Sequence, residues 1–292
     1  MNIKSFVISL FPKVIRNKLT KILDKNHLIV YYWKSKLNNF GDELNVFLLN
    51  KISHKDIKHI SEKKIHNSKS VISFIGSILK PNFKLNRKLV IMGSGFIEVP
   101  KKINYDFKKI YFVRGPLTRE ILINNQIECP DLYCDPGLLL PFFYKKKVIS
   151  KKYDLGIIPH YKDKSTSNFI NLLFKVSDNV NIIDIQGPIE QVISEINSCT
   201  HIVSSSLHGL ITADAYRIPS LWIEFSENVK GKGFKFNDYY RSLGYKISKP
   251  IKISEETRID ELIELTTLKN INNIRYKEIF KAISLAFNEN NF

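Results

Sequence analysis

Residues 202–225 constrain the fold more than any other stretch, because they predict a strand, a turn, a helix and a second strand in succession. Apolar β-branched residues end the first strand, three serines form the turn, and residues 207–216 place apolar side chains on one helical face. Pro219 ends that helix, and residues 221–225 resume as a strand. A strand–helix–strand unit of this length implies a right-handed crossover between two parallel strands.

His208 lies at the start of this predicted helix, where ligands usually bind in open α/β sheets. The backbone N–H groups of a helix N-terminus attract anions, and the hydroxyl groups of Ser205 and Ser206 add further donors. Gly209 allows a ligand to approach the backbone closely. An imidazole in this setting suits proton transfer beside a phosphate. The alternative is that His208 only caps the helix.

The same stretch carries a resemblance to a known family. The motif runs from Ser204 to Pro219 and is followed by Trp-Ile-Glu-Phe at residues 222–225 and Gly-Phe-Lys-Phe at residues 233–236. This combination resembles the polysaccharide pyruvyltransferase family. Many members have Arg immediately before Leu-His-Gly, where this chain has Ser206. The Ser-Ser-Leu-His-Gly variant resembles the branch of the family that acts on exopolysaccharide repeat units.

The resemblance implies a reaction and its substrates. Members of the family move the enolpyruvyl unit of phosphoenolpyruvate onto a sugar, and many close it as a cyclic ketal across two hydroxyl groups. We therefore expect phosphoenolpyruvate as the donor substrate and a saccharide or lipid-linked oligosaccharide as the acceptor. The reaction needs a proton shuttle, for which His208 is the candidate, and groups that hold anions. It needs no redox cofactor, and we expect no cofactor.

Three basic side chains are predicted to contact the donor. Arg114 stands where a strand meets a helix, and the resemblance assigns an Arg at this step to phosphoenolpyruvate binding, with a surface salt bridge as the alternative. His160 follows a strand within an Ile-Pro-His element that the family shares, with a structural role as the alternative. Lys235 belongs to a basic glycine loop, residues 228–236, that either closes over a phosphate or is only solvated.

Acidic and amide side chains are predicted to contact the acceptor. Asn39 and Asp42 open a helix within an Asn-x-Gly-Asp element that the family also has, and they either position a sugar hydroxyl or only cap the helix. Glu224 ends a core strand and is predicted to orient His208 or to bind a sugar. Asp135 begins an Asp-Pro-Gly turn, and we favour this turn role over the orientation of a catalytic group.

The net charge of +17, from 45 basic and 28 acidic residues, indicates that the protein meets an anion. The sequence has no nucleic-acid recognition motif, so we expect no nucleic-acid partner. Phosphorylated or acidic-sugar substrates and an anionic membrane surface are the other candidates. The three cysteines are widely spaced and predict neither a disulfide framework nor a zinc site, so no metal is expected.

Strand–helix alternation on both sides of a polar basic linker predicts an α/β protein with two doubly wound, Rossmann-like domains that face a cleft. The resemblance implies the same GT-B-like arrangement. The predicted units are a basic amphipathic arm at residues 1–26, an N-terminal α/β domain at 27–150, a C-terminal α/β domain at 151–253, and C-terminal helices at 254–292 that pack back across the domains.

The N-terminal arm mixes apolar and basic residues at partly helical spacing. This pattern predicts contact with the inner face of the cytoplasmic membrane, with packing on the main body as the alternative. No apolar run is long enough to span a bilayer, and no signal cleavage site follows the N-terminal apolar patch. We therefore expect a cytoplasmic protein that is at most peripheral on the membrane.

Two other functions fit the same sequence features. The first is a GT-B-type glycosyltransferase with a nucleotide-sugar donor, in which His208 acts as the base and the helix N-terminus holds the diphosphate. The second is a basic module without enzymatic activity that binds anionic polysaccharide or lipid.

Overall fold

The computed structural model describes residues 27–34, 38–62, 70–79, 89–100, 102–103, 107–145 and 150–290. Within these ranges the chain forms two five-stranded sheets, and all the strand pairs in them are parallel. Helices connect the strands, so the predicted α/β class with two doubly wound halves is confirmed. The predicted arm, residues 1–26, and its membrane contact lie outside the described residues.

The described residues of the first half form five strands, three α-helices and one 3₁₀ helix. In chain order they are β1 His27–Val30, α1 Phe40–Ser53, β2 Asp56–His59, β3 Val71–Ser73, β4 Leu89–Met92, β5 Phe107–Phe112, α2 Pro116–Asn124, a 3₁₀ helix at Pro136–Leu139 and α3 Leu140–Phe143. The strand order is β2-β1-β3-β4-β5. Every residue of β1, β3 and β4 is buried, as expected for the inner strands of a parallel sheet that is covered on both faces.

Between residues 150 and 290 the second half forms five strands and six helices. In chain order they are β6 Tyr153–Ile158, α4 Ser167–Leu173, β7 Val180–Ile182, α5 Ile189–Asn197, β8 Cys199–Ser204, α6 Leu207–Ala215, β9 Ser220–Glu224, α7 Phe234–Ser242, β10 Ile251–Lys252, α8 Ile259–Leu265 and α9 Tyr276–Asn290. The strand order is β10-β9-β8-β6-β7. The unit β8–α6–β9 is the strand–helix–strand predicted from residues 202–225, and its two strands pair in parallel.

A continuous hydrophobic core joins the two halves. It contains Leu44 of α1, Ile196 of α5 and Leu210 of α6, all of which are fully buried. The backbone N–H of Phe40 also donates to the carbonyl oxygen of Ile185, so a hydrogen bond links α1 to the second half. The halves therefore share buried apolar surface, which stabilises their relative position.

Helix α7 begins inside the predicted basic glycine loop, residues 228–236, and continues beyond it. It connects the second half to α2 of the first half. The buried carboxylate of Asp238 lies 2.9 Å from both Nε and an Nη atom of Arg114, and the other carboxylate oxygen accepts the backbone N–H of Thr118. On its other side α7 contacts the second half, because Tyr239 donates to Asp214 of α6 and Phe236 stacks on Trp222. Helix α7 is thus bonded to both halves.

The C-terminal helix α9 packs against β5 of the first half. Glu289 accepts hydrogen bonds from Lys109, at 2.7 Å, and from the hydroxyl group of Tyr111. The chain therefore returns from the second half to the first at its C-terminal end. No helix in the described ranges is both long enough and apolar enough to cross a bilayer.

The Arg114–Asp238 pair predicts a large loss of stability when one partner is removed. We expect Asp238→Ala to lower the free energy of unfolding by about 3–5 kcal/mol, because it leaves a guanidinium buried without its counter-ion. Urea unfolding followed by circular dichroism measures this loss. Asp260→Ala is the control, since it removes an exposed partner of Arg258 and should leave the unfolding midpoint nearly unchanged. Equal effects of the two substitutions would contradict the prediction.

Candidate functional site

A cleft of about 520 Å³ separates the two halves at the carboxyl ends of β1, β3, β6 and β8. Such a position is the usual ligand site in open parallel sheets. The first half contributes Trp33, Asn39, Asp42, residues 76–79, residues 97–98 and Pro100 to its lining, and the second half contributes residues 160–162, residues 206–208, Lys230 and Lys235.

His208 lies at the N-terminus of α6 and faces a carboxylate from the other half. The side chain is 13% exposed, and its Nε2 lies 3.7 Å from Oδ2 of the fully buried Asp135. Neither of these two atoms has a hydrogen-bond partner among the described residues. Oδ1 of Asp135 accepts the backbone N–H of Gly137, which is the predicted turn contact. Asp135 therefore makes the turn and also faces His208 with its second oxygen.

Gly41 allows the two halves to meet at His208. A Cβ atom at position 41 would lie 2.0 Å from Nδ1 of His208, which is far inside van der Waals contact. The imidazole therefore packs directly against the first turn of α1. This contact explains the glycine of the Asn-x-Gly-Asp element, because any side chain there would occupy the space of the ring.

Asp42 lies beside Gly41 and lines the cleft together with Asn39, where the sequence placed both residues. Its carboxylate accepts hydrogen bonds from Nδ2 of Asn39, at 2.7 Å, and from the backbone N–H of Trp33. Burial raises the pKa of Asp42 to about 6, although the neighbouring His208 acts in the opposite direction. A carboxyl group with this pKa exchanges protons readily near neutral pH.

Three lysines from the second half, Lys162, Lys230 and Lys235, line the cleft, and we call them the basic wall. Burial, and after it the charges of Arg114 and Lys162, lowers the pKa of Lys235 to about 8, so this amine is still mostly protonated at pH 7. The N-terminus of α6 opens beside the basic wall, where Ser206 makes no side-chain capping bond. Lysines and a helix N-terminus together favour an anionic ligand.

His160 lines the cleft as a neutral group. Burial, followed by the charges of Lys235 and Lys162, lowers its pKa to about 3. Its Nδ1 accepts the backbone N–H of Lys162 at 3.3 Å, which leaves the proton on Nε2. His160 can therefore donate a hydrogen bond to a ligand, but it adds no positive charge at neutral pH.

Arg114 does not line the cleft, in contrast to its predicted contact with the donor. Its side chain is 0% exposed, and its guanidinium binds Asp238, the hydroxyl group of Ser77 and the carbonyl oxygen of Phe96. These partners, two from the first half and Asp238 from α7 of the second, occupy the guanidinium. Arg114 forms a buried ion pair, whereas the alternative considered for it was a surface salt bridge.

Ser205 is also oriented away from the cleft. Its hydroxyl group donates to the buried Asp163 at 2.7 Å and accepts the backbone N–H of His160 at 2.8 Å. Asp163 accepts a further hydrogen bond from Ser226. Ser205 and Asp163 therefore fix the loops that follow β6, β8 and β9, and they position His160 without contacting a ligand in the cleft.

Two other predicted contacts lie outside the cleft lining. Gly209 packs against β6 and β8, because a Cβ atom there would lie 2.6 Å from the hydroxyl oxygen of Ser204 and 3.1 Å from Ile158. Its small size serves helix–strand packing. Glu224 is half-buried at the end of β9, where burial raises its pKa, and its backbone pairs with Lys252 of β10. The site thus contains six predicted residues: Asn39, Asp42, His160, Ser206, His208 and Lys235.

Sequence reasoning missed several side chains that line the cleft, among them Trp33 and Lys162, and it included Lys230 only within the basic glycine loop. Each follows or lies near the carboxyl end of a strand, which is the one signal that pointed to them. Lysines are frequent in this chain, so their positions alone did not separate these two from the solvated ones. Trp33 lies three residues beyond the end of β1 at Val30.

Comparison with known sequences gives consistent matches. Residues 11–227 match the family model described as polysaccharide pyruvyl transferase. The chain is 30% identical over 240 residues to the succinoglycan biosynthesis protein ExoV of Rhizobium meliloti, which covers 80% of this chain and 70% of that protein. It is also 30% identical over 224 residues to the uncharacterised protein L143 of Acanthamoeba polyphaga mimivirus, which covers 75% of this chain and 76% of the viral protein.

Comparison with solved structures gives a more distant similarity. An uncharacterised protein of Klebsiella pneumoniae aligns with 83% of this chain and with 98% of its own chain. The TM-score is 0.47 and the sequence identity is 14%.

The contact between Gly41 and His208 predicts a coupling that a double-mutant cycle can measure. We expect Gly41→Ala to destabilise the protein by about 1–3 kcal/mol, because the added methyl group overlaps the imidazole. In a His208→Ala background the overlap disappears, and the same substitution should cost much less. Urea unfolding of the four proteins gives the coupling energy. An unchanged cost in the His208→Ala background would show that the ring is not the obstacle.

The raised pKa of Asp42 predicts that Asp42→Asn stabilises the folded protein, by an amount that depends on pH. The carboxyl group has a pKa of about 6 when folded, compared with its ordinary value of 3.8, so ionisation opposes folding as the pH rises through this window. We expect Asp42→Asn to be more stable than the wild type at pH 8, by up to about 3 kcal/mol, and to lose this advantage towards pH 4. Unfolding curves at several pH values test this, and a stability difference independent of pH would contradict it.

Proposed function

Because the chain belongs to the polysaccharide pyruvyl transferase family, we propose that it transfers pyruvate from phosphoenolpyruvate to a sugar of a surface polysaccharide or of its lipid-linked precursor, and forms a pyruvate ketal. At the family level the chain is a pyruvyltransferase that acts on polysaccharide. The observation that carries the finer proposal is the pairing of His208 with the buried Asp135 inside a cleft with a basic wall.

The basic wall supports an anionic donor. Phosphoenolpyruvate carries a carboxylate and a phosphate, and both need positive partners. Lys162, Lys230 and Lys235 supply positive charge, and the N-terminus of α6 supplies backbone N–H groups. Many members of the family have Arg at the position of Ser206, and we infer that the lysines take over its role in holding the phosphate.

His208 and Asp135 support proton transfer. In this reaction a proton adds to the methylene carbon of phosphoenolpyruvate, and the carbon that bears the phosphate becomes electrophilic. A sugar hydroxyl adds there and loses its proton, the bond to phosphate breaks, and a second hydroxyl of the same sugar closes the ring and loses its proton. The products are one ketal and one inorganic phosphate. Since Nε2 of His208 faces Asp135 at 3.7 Å, we assign the exchange of these protons to the other ring nitrogen, Nδ1.

Asn39 and Asp42 support binding of the acceptor. Their polar atoms lie in the cleft close to His208, since the charge of the imidazole affects the pKa of Asp42. A carboxyl group that exchanges protons near neutral pH suits the removal of a proton from a sugar hydroxyl. The relative named for succinoglycan biosynthesis favours a saccharide of an exopolysaccharide as the acceptor.

The direct test is incubation of the protein with phosphoenolpyruvate and a panel of methyl glycosides. Phosphate release and a pyruvate-sized mass increment on one glycoside are the expected results. We expect His208→Ala to lower the rate by about 100- to 10,000-fold, which is the usual contribution of a general acid–base group. Turnover or a thermal shift with UDP-glucose, and none with phosphoenolpyruvate, would instead favour a glycosyltransferase.

Two lysine substitutions, one inside the cleft and one outside it, test donor binding. Lys235→Met should raise the KM for phosphoenolpyruvate about tenfold, since it removes a charge-assisted contact from the basic wall. Lys252→Met removes an exposed lysine of β10 that does not line the cleft, and it should leave this KM unchanged. If both variants shift the KM equally, the basic wall has no specific role in holding the donor.

A further inference from the structure

The two sides of the cleft differ in charge and in chemical character. The second half contributes the basic wall and both cleft histidines, whereas the first half contributes the acidic groups Asp42 and Glu98. The first half also contributes apolar side chains, which are Trp33, Ile78, Leu79, Ile97 and Pro100. A trianionic donor matches the basic side. The opposite side combines apolar surface with hydrogen-bonding groups, which suits a neutral sugar.

Trp33 is the large aromatic side chain on the first-half side. It is 51% exposed although it lines a cleft, and its backbone N–H donates to the carboxylate of Asp42. That hydrogen bond holds the backbone of Trp33, from which the indole extends, next to Asp42, which is predicted to contact the acceptor. The other tryptophan, Trp222, is only 6% exposed and stacks on Phe236 with ring centroids 4.3 Å apart. The indole of Trp33 therefore presents half of its surface in the cleft, in contrast to the core indole of Trp222.

We propose that the indole of Trp33 is the platform on which one ring of the acceptor saccharide lies, with the reacting hydroxyl groups directed at Asp42 and His208. The inference rests on the proposed function, since it identifies the acceptor side of the same cleft. A pyranose ring has an apolar face of C–H groups that packs on an aromatic ring and an edge of hydroxyl groups that binds polar side chains.

The platform also limits which acceptors react. Both hydroxyl groups that enter the ketal lie on one edge of the sugar, and the opposite part of the ring stays on the indole. A sugar whose C–H groups cluster on one face, such as a β-galactoside, packs on an aromatic ring more completely than a sugar with axial hydroxyl groups on that face. We therefore expect methyl β-D-galactopyranoside to bind better than methyl α-D-mannopyranoside.

Tryptophan fluorescence tests the platform without turnover. Trp222→Phe leaves Trp33 as the single tryptophan, because the chain has two. We expect methyl β-D-galactopyranoside or methyl β-D-glucopyranoside, at up to about 100 mM, to protect Trp33 from acrylamide quenching, since weak sugar sites have Kd values in the millimolar range. In the Trp33→Phe protein, the remaining tryptophan should be insensitive to these sugars. Absence of protection by every sugar in the panel overturns the proposal.

Steady-state kinetics with the best glycoside separates acceptor binding from donor binding. Trp33→Ala should raise the KM for the glycoside about tenfold and leave the KM for phosphoenolpyruvate within about twofold. Trp33→Tyr should restore most of the affinity, because it keeps an aromatic face. Phe174→Ala is the matched control, since Phe174 is an aromatic residue with 84% exposure outside the cleft lining. An unchanged glycoside KM in Trp33→Ala overturns the proposal.

The outcomes distinguish a failure of the platform from a failure of the proposed reaction. If phosphoenolpyruvate gives a thermal shift and turnover but no sugar protects Trp33, the reaction stands and the platform is wrong. If sugars protect Trp33 while phosphoenolpyruvate neither binds nor reacts, the platform is supported and the donor assignment is wrong.

Discussion

The buried ion pair between Arg114 and Asp238 is the interaction on which the arrangement of the two halves depends. It fastens helix α7, which follows the second sheet in the chain, to helix α2 beside the first sheet. The carboxylate also accepts the backbone N–H of Thr118, so one group neutralises a guanidinium and caps a helix. The pair tolerates burial because each charge has its partner and further hydrogen bonds. Lys235, one residue into α7, is thereby held at the cleft.

With the halves fixed in this way, two helix N-termini meet at one imidazole. Helix α1 approaches through Gly41, which leaves room for the ring of His208, and Asp135 reaches the ring from the same half. The proton-exchanging groups therefore come from both sheets, and neither half contains a complete site. Asp42 and the basic wall then divide the cleft into an acidic side and a basic side, an arrangement that fits the anionic donor and the neutral acceptor that we propose.

Much of the fold was predictable, because buried parallel strands are apolar runs and their ends carry glycine, serine or proline. The helix α7 was missed because its start, Phe-Lys-Phe-Asn, contains poor helix formers after two glycines, and contacts with Arg114 and Trp222 stabilise it. The sequence placed His208, Asp42 and Asn39 at the cleft, since strand ends share one edge. It did not reveal that Arg114 points inward, because the direction of a side chain depends on a partner 124 residues away.

The double attachment of α7 has a consequence for how substrates enter. The helix contacts Arg114 on one side and Asp214 and Trp222 on the other. Helix α9 adds a second connection between the halves through the hydrogen bond from Lys109 to Glu289. Opening or closing of the two halves would have to break the buried contacts of α7, so we expect the cleft to keep a nearly constant width. In the reaction that we propose, such a cleft does not close around the small donor, so we expect the acceptor saccharide to cover the donor and to exclude water from the reacting atoms.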